Sequence, residues 1–203
     1  MDSSTGNTTR DKLIETAKEL FLAKGVDRVG VREIAATAGI NLSLMNYYFR
    51  SKEKLLETIF EMVIADKATI LRQILDSDKP IEVKIKDYVY KYIDLLVEDP
   101  LLVSFVLSII HRNNDKITKM RVIMNLYNSE HFIAQLKREA EMGRIKSIDS
   151  EQFYISMLAL ILFPFSIKPL ISHRNNFNDK ETLNFLLNRK KSVYEMLIAT
   201  IKL

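Results

Sequence analysis

Residues 31–50 read VREIAATAGINLSLMNYYFR, and this stretch decides the fold. Ala35 supplies the small residue that two steeply crossing helices need where they approach most closely. Gly39 follows where the turn between such helices requires a positive φ, which a Cβ would penalise. The apolar residues at the offsets that seal the two helices together are Ile34, Ala38, Ile40, Met45 and Tyr48. The stretch therefore predicts a helix-turn-helix, and the alternative is a plain helical hairpin.

Glycine and proline are spaced along the rest of the chain as in a helical protein. The five glycines are Gly6, Gly25, Gly30, Gly39 and Gly143, so residues 40–142 and 144–203 contain none. Hairpins and barrels need positive φ at their turns, and this distribution does not provide it. We therefore expect an all-α fold of about nine helices, three short and six longer.

Composition excludes several classes of protein. The chain has 203 residues, 47% of them apolar, with 30 Lys and Arg against 26 Asp and Glu. This length can bury a real core, and the balance is unlike that of a disordered chain. The absence of cysteine excludes disulfides, thiolate metal sites and cysteine nucleophiles. Residues 1–10 are polar and resemble no signal peptide, so we expect a cytoplasmic protein.

Capping residues mark the expected helix boundaries. Residues 1–9 are expected to be a disordered tail, with the first helix beginning at Thr8 and ending at Gly25 in a left-handed cap. The other expected N-caps are Asn41, Ser51, Asp149 with Gln152 three residues on, and Asn178 with Glu181. The last two long helices are expected at about residues 149–171 and 179–202.

One apolar stretch, residues 153–167, contains no charged residue. It is shorter than the roughly 20 residues that a membrane span needs, and Pro164 interrupts it. A helix that is apolar on every side is buried in a core or against another chain. We favour a partner chain, and expect no membrane association.

The N-terminal quarter resembles a known family. The matching residues are the pattern of Leu13, Ile14, Ala17, Leu20 and Phe21, then Gly25, VREIA at 31–35, AGI at 38–40 and NYYFRSKEKL at 46–55. They are similar to the N-terminal domain of TetR-family transcriptional regulators. The family usually has threonine before its second helix, where this chain has Gly30, and a Leu-Tyr pair where this chain has Met45 and Asn46. The resemblance implies a DNA-binding domain at residues 10–54, followed by a helical effector-binding and dimerisation domain at 55–203.

The third helix is the candidate for the DNA major groove, which admits one helix. The expected DNA-contacting residues are Arg32, Asn41, Leu42, Ser43, Asn46, Tyr47, Tyr48 and Lys52. Asn46 suits a bidentate contact to adenine, or else bonds backbone or water, and Leu42 suits a thymine methyl. Tyr48 could instead place its ring in the core, and Arg32 could be an ordinary solvated arginine. Residues 1–54 hold nine Lys and Arg against seven Asp and Glu, so we expect few phosphate ion pairs and a moderate salt dependence.

One such domain reads only a few base pairs, so a palindromic operator and a homodimer are expected. The expected dimer interface lies on the last two long helices, or else these residues form an ordinary core: Leu158, Ile161, Leu162, Phe165, Leu186, Leu187, Met196 and Leu197. The resemblance also implies a small-molecule effector of unknown identity. The residues that could line its pocket are Phe105, Tyr127 and Met157, although plain core is the favoured interpretation of each.

No pattern in the sequence predicts catalysis. The three histidines, His111, His131 and His173, are far apart, and none forms a metal motif with a carboxylate. No glycine-rich phosphate loop or nucleophile elbow is present, so we expect neither an enzyme nor a cofactor or metal. The remaining functions are a ligand-responsive repressor, or a helical binding protein whose helix-turn-helix no longer reads DNA.

Overall fold

The structure, a computed structural model, describes residues 3–99, 102–103 and 129–203. These ranges hold ten helices and no strand, in agreement with the expected all-α class. In chain order they are α1 (Ser3–Lys24), a 3-10 helix (Val26–Arg28), α2 (Val31–Thr37), α3 (Leu42–Phe49), α4 (Lys52–Asp76), α5 (Ile81–Glu98), α6 (Glu130–Glu141), α7 (Ser150–Ser166), α8 (Lys168–Asn175) and α9 (Asp179–Ile201).

Side-chain caps begin four of these helices where the sequence predicts them. Asn41 accepts from the Leu44 backbone N–H, and Ser51 accepts from that of Lys54. Asp149 accepts from Gln152, and Asn178 forms a reciprocal capping box with Glu181. Each cap satisfies an N–H that has no partner inside its helix. The predicted starts of α3, α4, α7 and α9 are therefore confirmed.

The beginning and end of α1 differ from expectation. The helix begins at Ser3, inside the segment expected to be a disordered tail and before the expected cap at Thr8. A nucleated helix gains one hydrogen bond for each residue added, so it extends through Gly6 at a small cost. Gly25 ends the helix with φ 82 and ψ 147, which is not the left-handed cap but a region open essentially to glycine alone.

The expected single helix at 149–171 is two helices. α7 ends at Ser166 and α8 begins at Lys168, with a bend of 62° between them. Pro169 lacks the N–H that a continuous helix would donate to the Phe165 carbonyl oxygen, and the Ile167 backbone N–H makes the last bond of α7, to the Phe163 carbonyl oxygen at 3.2 Å. The sequence prediction treated the two helices as one, although Pro169 marks a position where a continuous helix loses a hydrogen bond.

Helix α4 connects the N-terminal helices α1–α3 to the C-terminal helices. Its first turns bury Leu55, Leu56 and Ile59, and its last turns bury Leu71 and Leu75. The first part contacts α1 and α3, while α4 as a whole also packs on α5 and α6. The residues from both regions belong to one continuous apolar core.

The C-terminal region is a helical bundle around α5, which contacts α4, α7 and α9. The most buried large side chains there include Tyr88, Tyr92 and Phe132. Among the described helices, none is by itself long and apolar enough to cross a bilayer, although α7 and α8 together pass that test as a bent pair.

Candidate nucleic-acid interface

Helices α2 and α3 pack as the sequence predicts. Ile34, Ala35, Ala38 and Met45 are buried between them and α1. Gly39 has φ 67, and the next residue, Ile40, returns its backbone N–H to the carbonyl oxygen of Ala35 at 2.9 Å. The turn therefore has the geometry of a helix-turn-helix, with α3 as its second helix.

The outer face of α3 carries the side chains that can reach a ligand. Ser43, Asn46 and Tyr47 are exposed there, as predicted, and Tyr47 is 77% exposed. Leu44, which the sequence analysis did not single out, is exposed beside them. An amide, a hydroxyl, a phenol and an aliphatic group thus form a mixed surface on one helix face, which suits base edges and thymine methyls.

The expectation that Leu42 lies on this outer face is wrong. Leu42 is half-buried and packs against the core, because it precedes Met45 by three residues and Phe49 by seven. At 3.6 residues per turn, these three side chains share the inner face. Leu44, two residues along, takes the exposed position assigned to Leu42.

Two other predicted contacts have structural partners inside the domain. The Asn41 side chain caps α3 by accepting from Leu44 at 2.7 Å, so its oxygen is already engaged. Tyr48 is half-buried against the core, with its ring centroid 5.4 Å from that of Tyr47. Its ring therefore packs inward, as the alternative in the sequence analysis allowed.

The start of α2 lies beside the end of α1. Arg32 is exposed on α2, in a position that can face a phosphate. Next to it, Lys24 of α1 donates to Glu33 of α2 at 2.5 Å. This hydrogen bond is the main cause that lowers the pKa of Glu33, and the Gly30 backbone contributes in the same direction. Gly30 itself provides no side-chain cap for α2.

Basic groups surround the end of α3. Lys52 is half-buried at the start of α4, and burial lowers its pKa against the opposing effect of Glu53. Arg50 is exposed in the link between α3 and α4, and the guanidinium of Arg10 lies 5.8 Å from the centroid of the Phe49 ring. Of these three cations only Lys52 was predicted to contact DNA, and no local pattern in the sequence could place Arg10 of α1 at this point.

The residues assigned to a dimer interface separate into two groups. Leu158, Ile161, Leu186 and Leu197 are buried within one chain, so these four belong to its own core, contrary to the expectation. Leu162, Phe165 and Leu187 are half-buried, and Met196 is 52% exposed. The large exposed side chains on α7 that the sequence analysis missed are Ile155 and Phe163. α7 is apolar on all sides, so only packing decides which side faces outward.

Of the three candidate pocket residues, Met157 is fully buried in the core of the C-terminal bundle. Phe105 and Tyr127 lie outside the described residues. Among the described part of the chain, no three His, Asp or Glu side chains gather into a group that could hold a metal ion.

Fold and site together define a helix-turn-helix protein with a helical C-terminal bundle. Residues 13–59 match the model for the tetR family of bacterial regulatory proteins. The resemblance noted in the sequence is therefore confirmed for this part of the chain.

Similar proteins agree with this assignment. A 50-residue segment is 46% identical to the Probable HTH-type transcriptional regulator YttP of Bacillus subtilis (strain 168), covering 25% of this chain and 24% of YttP. The match thus spans about a quarter of that relative. Two solved structures share the fold: PfmR of Thermus thermophilus, a TetR-family transcriptional regulator, and FadR of Bacillus halodurans, a fatty acid degradation regulator. The first has a TM-score of 0.69 at 17% identity over 91% of this chain and 95% of PfmR. The second, FadR, has a TM-score of 0.63 at 19% identity, and the match covers 93% of this chain and 97% of FadR.

Proposed function

We propose that this protein is a DNA-binding transcriptional regulator that acts as a homodimer in the cytoplasm, represses from a palindromic operator and responds to a small molecule. The observation that carries the proposal is the exposed polar and aromatic face of α3 on a TetR-family helix-turn-helix. A buried α3 could not enter a major groove, whereas this one presents Ser43, Asn46 and Tyr47 to solvent.

Base reading is assigned to the exposed face of α3. The Asn46 amide can accept and donate at one adenine, and Leu44 can pack on a thymine methyl. Tyr47, Arg32 and Lys52 are placed around this helix to contact phosphates, which fix its register without reading sequence. Each contact is made twice in a dimer on two half-sites.

The proposed dimer surface is an outer apolar face formed by Ile155, Ala159 and Phe163 of α7 with Met196 and Ala199 of α9, all exposed in the single chain. A shallow groove between the two helices runs alongside, lined by Ser156, Leu160, Met196 and Thr200. Because residues 153–167 contain no charge, a second copy can cover this face without burying an unpaired ion.

Effector response is assigned to the C-terminal bundle. Its interior holds the Tyr154 hydroxyl, whose pKa is raised by burial, while the neighbouring Tyr88 and Ser129 hydroxyls oppose that shift. A ligand that favours one arrangement of the bundle shifts the population of spacings between the two α3 helices of a dimer. The change is transmitted through α4, whose two ends are buried in different parts of the continuous apolar core.

The DNA-binding experiment starts by selecting bound fragments from a random-sequence pool. We expect a near-palindromic consensus bound with a salt-sensitive Kd. Asn46→Ala should weaken binding to this operator about 30-fold or more, because roughly 1–3 kcal/mol of base discrimination is lost at each of the two half-sites. The matched control is Asn188→Ala, an exposed asparagine on α9. Selection of no sequence would contradict the proposal and favour a binding protein that no longer reads DNA.

The oligomeric state is tested separately by light scattering. The unsubstituted protein should be a dimer, and Phe163→Glu should give monomers because the substitution places a charge on the outer apolar face. Met142→Glu is the control, since Met142 is similarly exposed but lies in the turn after α6. A monomeric unsubstituted protein would contradict the proposed dimer.

A further inference from the structure

The chain adopts positive φ at five of its described residues. Three are glycines, at positions 25, 39 and 143, and a fourth is Asn176, with φ 53 and ψ 36 in the left-handed region that asparagine tolerates. The fifth is Arg50, with φ 54 and ψ −36. An arginine there is strained, because its Cβ crowds the backbone and its ψ lies outside the left-handed well. A glycine would adopt this turn with less strain, because it has no Cβ.

The turn itself explains why φ must be positive at this position. α3 ends at Phe49 and α4 begins at Lys52, so two residues reverse the chain between them. The Arg50 backbone N–H donates to Asn46 at 2.9 Å, and the Ser51 N–H returns to the Phe49 carbonyl oxygen. These contacts involve backbone atoms only. They would form equally with glycine, so they do not account for an arginine side chain.

The charge of Arg50 is available to a ligand. Arg50 is exposed, and in the described part of the chain it pairs with no carboxylate. Other cations of the same domain are engaged: Lys18 pairs with Glu15, Lys24 with Glu33, and Lys54 with Glu57. The domain has a small charge excess, so phosphate binding depends on the few cations placed beside α3.

We propose that Arg50 binds a phosphate of the DNA backbone at the C-terminal end of α3, and that the strained turn is retained because it places this guanidinium beside the recognition helix. The inference rests on the proposed DNA-binding function. Arg10, held over the Phe49 ring at the same end of α3, extends the positive surface toward α1. Arginine suits the role because its planar fork donates two parallel hydrogen bonds to phosphate oxygens.

Substitution by glycine separates the charge of Arg50 from its backbone conformation. Arg50→Gly removes the charge and relieves the strain, Arg50→Ala removes the charge and keeps the strain, and Arg50→Lys keeps both. We expect both neutral variants to weaken binding to the selected operator about 10-fold or more, with Arg50→Lys retaining most of the affinity. Arg50→Gly should nevertheless melt at a higher temperature than Arg50→Ala.

Salt dependence gives a second readout that a structural role would not change. Loss of one phosphate contact per protomer should reduce the magnitude of the negative slope of log K against log salt by about two in a dimer. Asn176→Gly is the control for backbone effects, and Arg174→Gln is the control for general charge, since both lie at the end of α8. Neither should change the operator Kd or the slope.

The outcomes distinguish this inference from the function on which it rests. If the unsubstituted protein binds no selected DNA, the proposed function fails and the phosphate contact fails with it. If it binds DNA and Arg50→Gly binds with the same Kd and salt slope, only the role of Arg50 is overturned. If Arg50→Ala loses affinity but Arg50→Gly binds like the unsubstituted protein, the loss in Arg50→Ala is due to backbone strain. That outcome would also overturn the role of the Arg50 charge.

Discussion

The guanidinium of Arg189 on α9 donates a hydrogen bond to the main-chain carbonyl oxygen of Leu160 on α7, with 2.9 Å between Nη2 and the oxygen. Inside an α-helix this carbonyl would accept from the residue four positions on, which is Pro164. Proline has no N–H, so the helix leaves the Leu160 oxygen without its usual donor. Arg189 supplies that donor from the neighbouring helix and ties α9 to the proline-containing part of α7.

This relationship predicts coupling between two distant positions in the sequence. Arg189→Ala should lower the free energy of unfolding by about 1–3 kcal/mol, because a partly buried carbonyl loses its partner. In a Pro164→Ala background, the residue 164 N–H can bond to Leu160, so the same substitution should cost less. Urea unfolding of the unsubstituted protein, the two single variants and the double variant, all at the same protein concentration, gives the coupling energy. We expect it to exceed about 0.5 kcal/mol. Strictly additive effects would contradict the assignment.

The buried ammonium of Lys84 is expected to make stability depend on pH. Lys84 of α5 is fully buried and donates to the Leu75 carbonyl oxygen at 2.9 Å, near the end of α4. Burial lowers the pKa of Lys84 from its ordinary value of 10.5, against the opposing effects of Asp78 and Asp76. At pH values between the lowered pKa and 10.5, Lys84 binds more protons in the unfolded chain than in the folded one. The free energy of unfolding therefore rises with pH in that window.

The predicted consequence is a pH-dependent difference between variants. The unsubstituted protein should gain free energy of unfolding relative to Lys84→Met as the pH rises toward 10.5. Denaturant unfolding at several alkaline pH values measures this difference, with Lys86→Met on the exposed face of α5 as the control. A difference that stays constant or shrinks with rising pH would exclude this role for the buried ammonium.

The N-cap of α3 should affect both stability and DNA binding. Asn41→Ala removes the cap on Leu44 and should cost about 1 kcal/mol of stability while weakening operator binding, because α3 frays at its first turn. Asn178→Ala removes a similar cap from α9, far along the chain from the helix-turn-helix, and should lower stability alone. Thermal unfolding and operator Kd values separate the two effects.

A serine at position 41 distinguishes capping from direct contact. Asn41→Ser keeps a capping oxygen and should restore both stability and affinity. If Asn41→Ser is stable but still binds DNA poorly, the amide itself contacts DNA, as the sequence analysis expected.

The turn before α3 should be sensitive to a single methyl group. Gly39→Ala should cost about 1–2 kcal/mol, since an L-residue with φ 67 is strained. The nearest atom to the added Cβ is Lys12 Nζ at 4.0 Å, so a clash does not contribute. Gly30→Ala is the matched control: its φ is −98 and its Cβ would meet no atom within 4 Å. Equal losses at both positions, measured by urea unfolding, would refute the conformational explanation.

The sequence by itself determined the helical class, the helix-turn-helix and the four side-chain caps. These features are local: each depends on residues within a few positions, such as Asn178 with Glu181 or Ala35 with Gly39, whose spacing is the same in any context. Sequence reasoning failed even here at Leu42, where the helical period placed the side chain inward and the chosen face was wrong.

Only the tertiary structure decided which apolar residues of α7 and α9 are buried in one chain and which are left for a partner. Leu158 and Phe163 are both large apolar residues in the same uncharged stretch, yet the first is 7% exposed and the second is 60% exposed. Likewise, Arg189 meets Leu160 and Arg10 meets Phe49 only because separate helices are packed together. Burial and long-range hydrogen bonds depend on the arrangement of whole helices, which no short stretch of residues specifies.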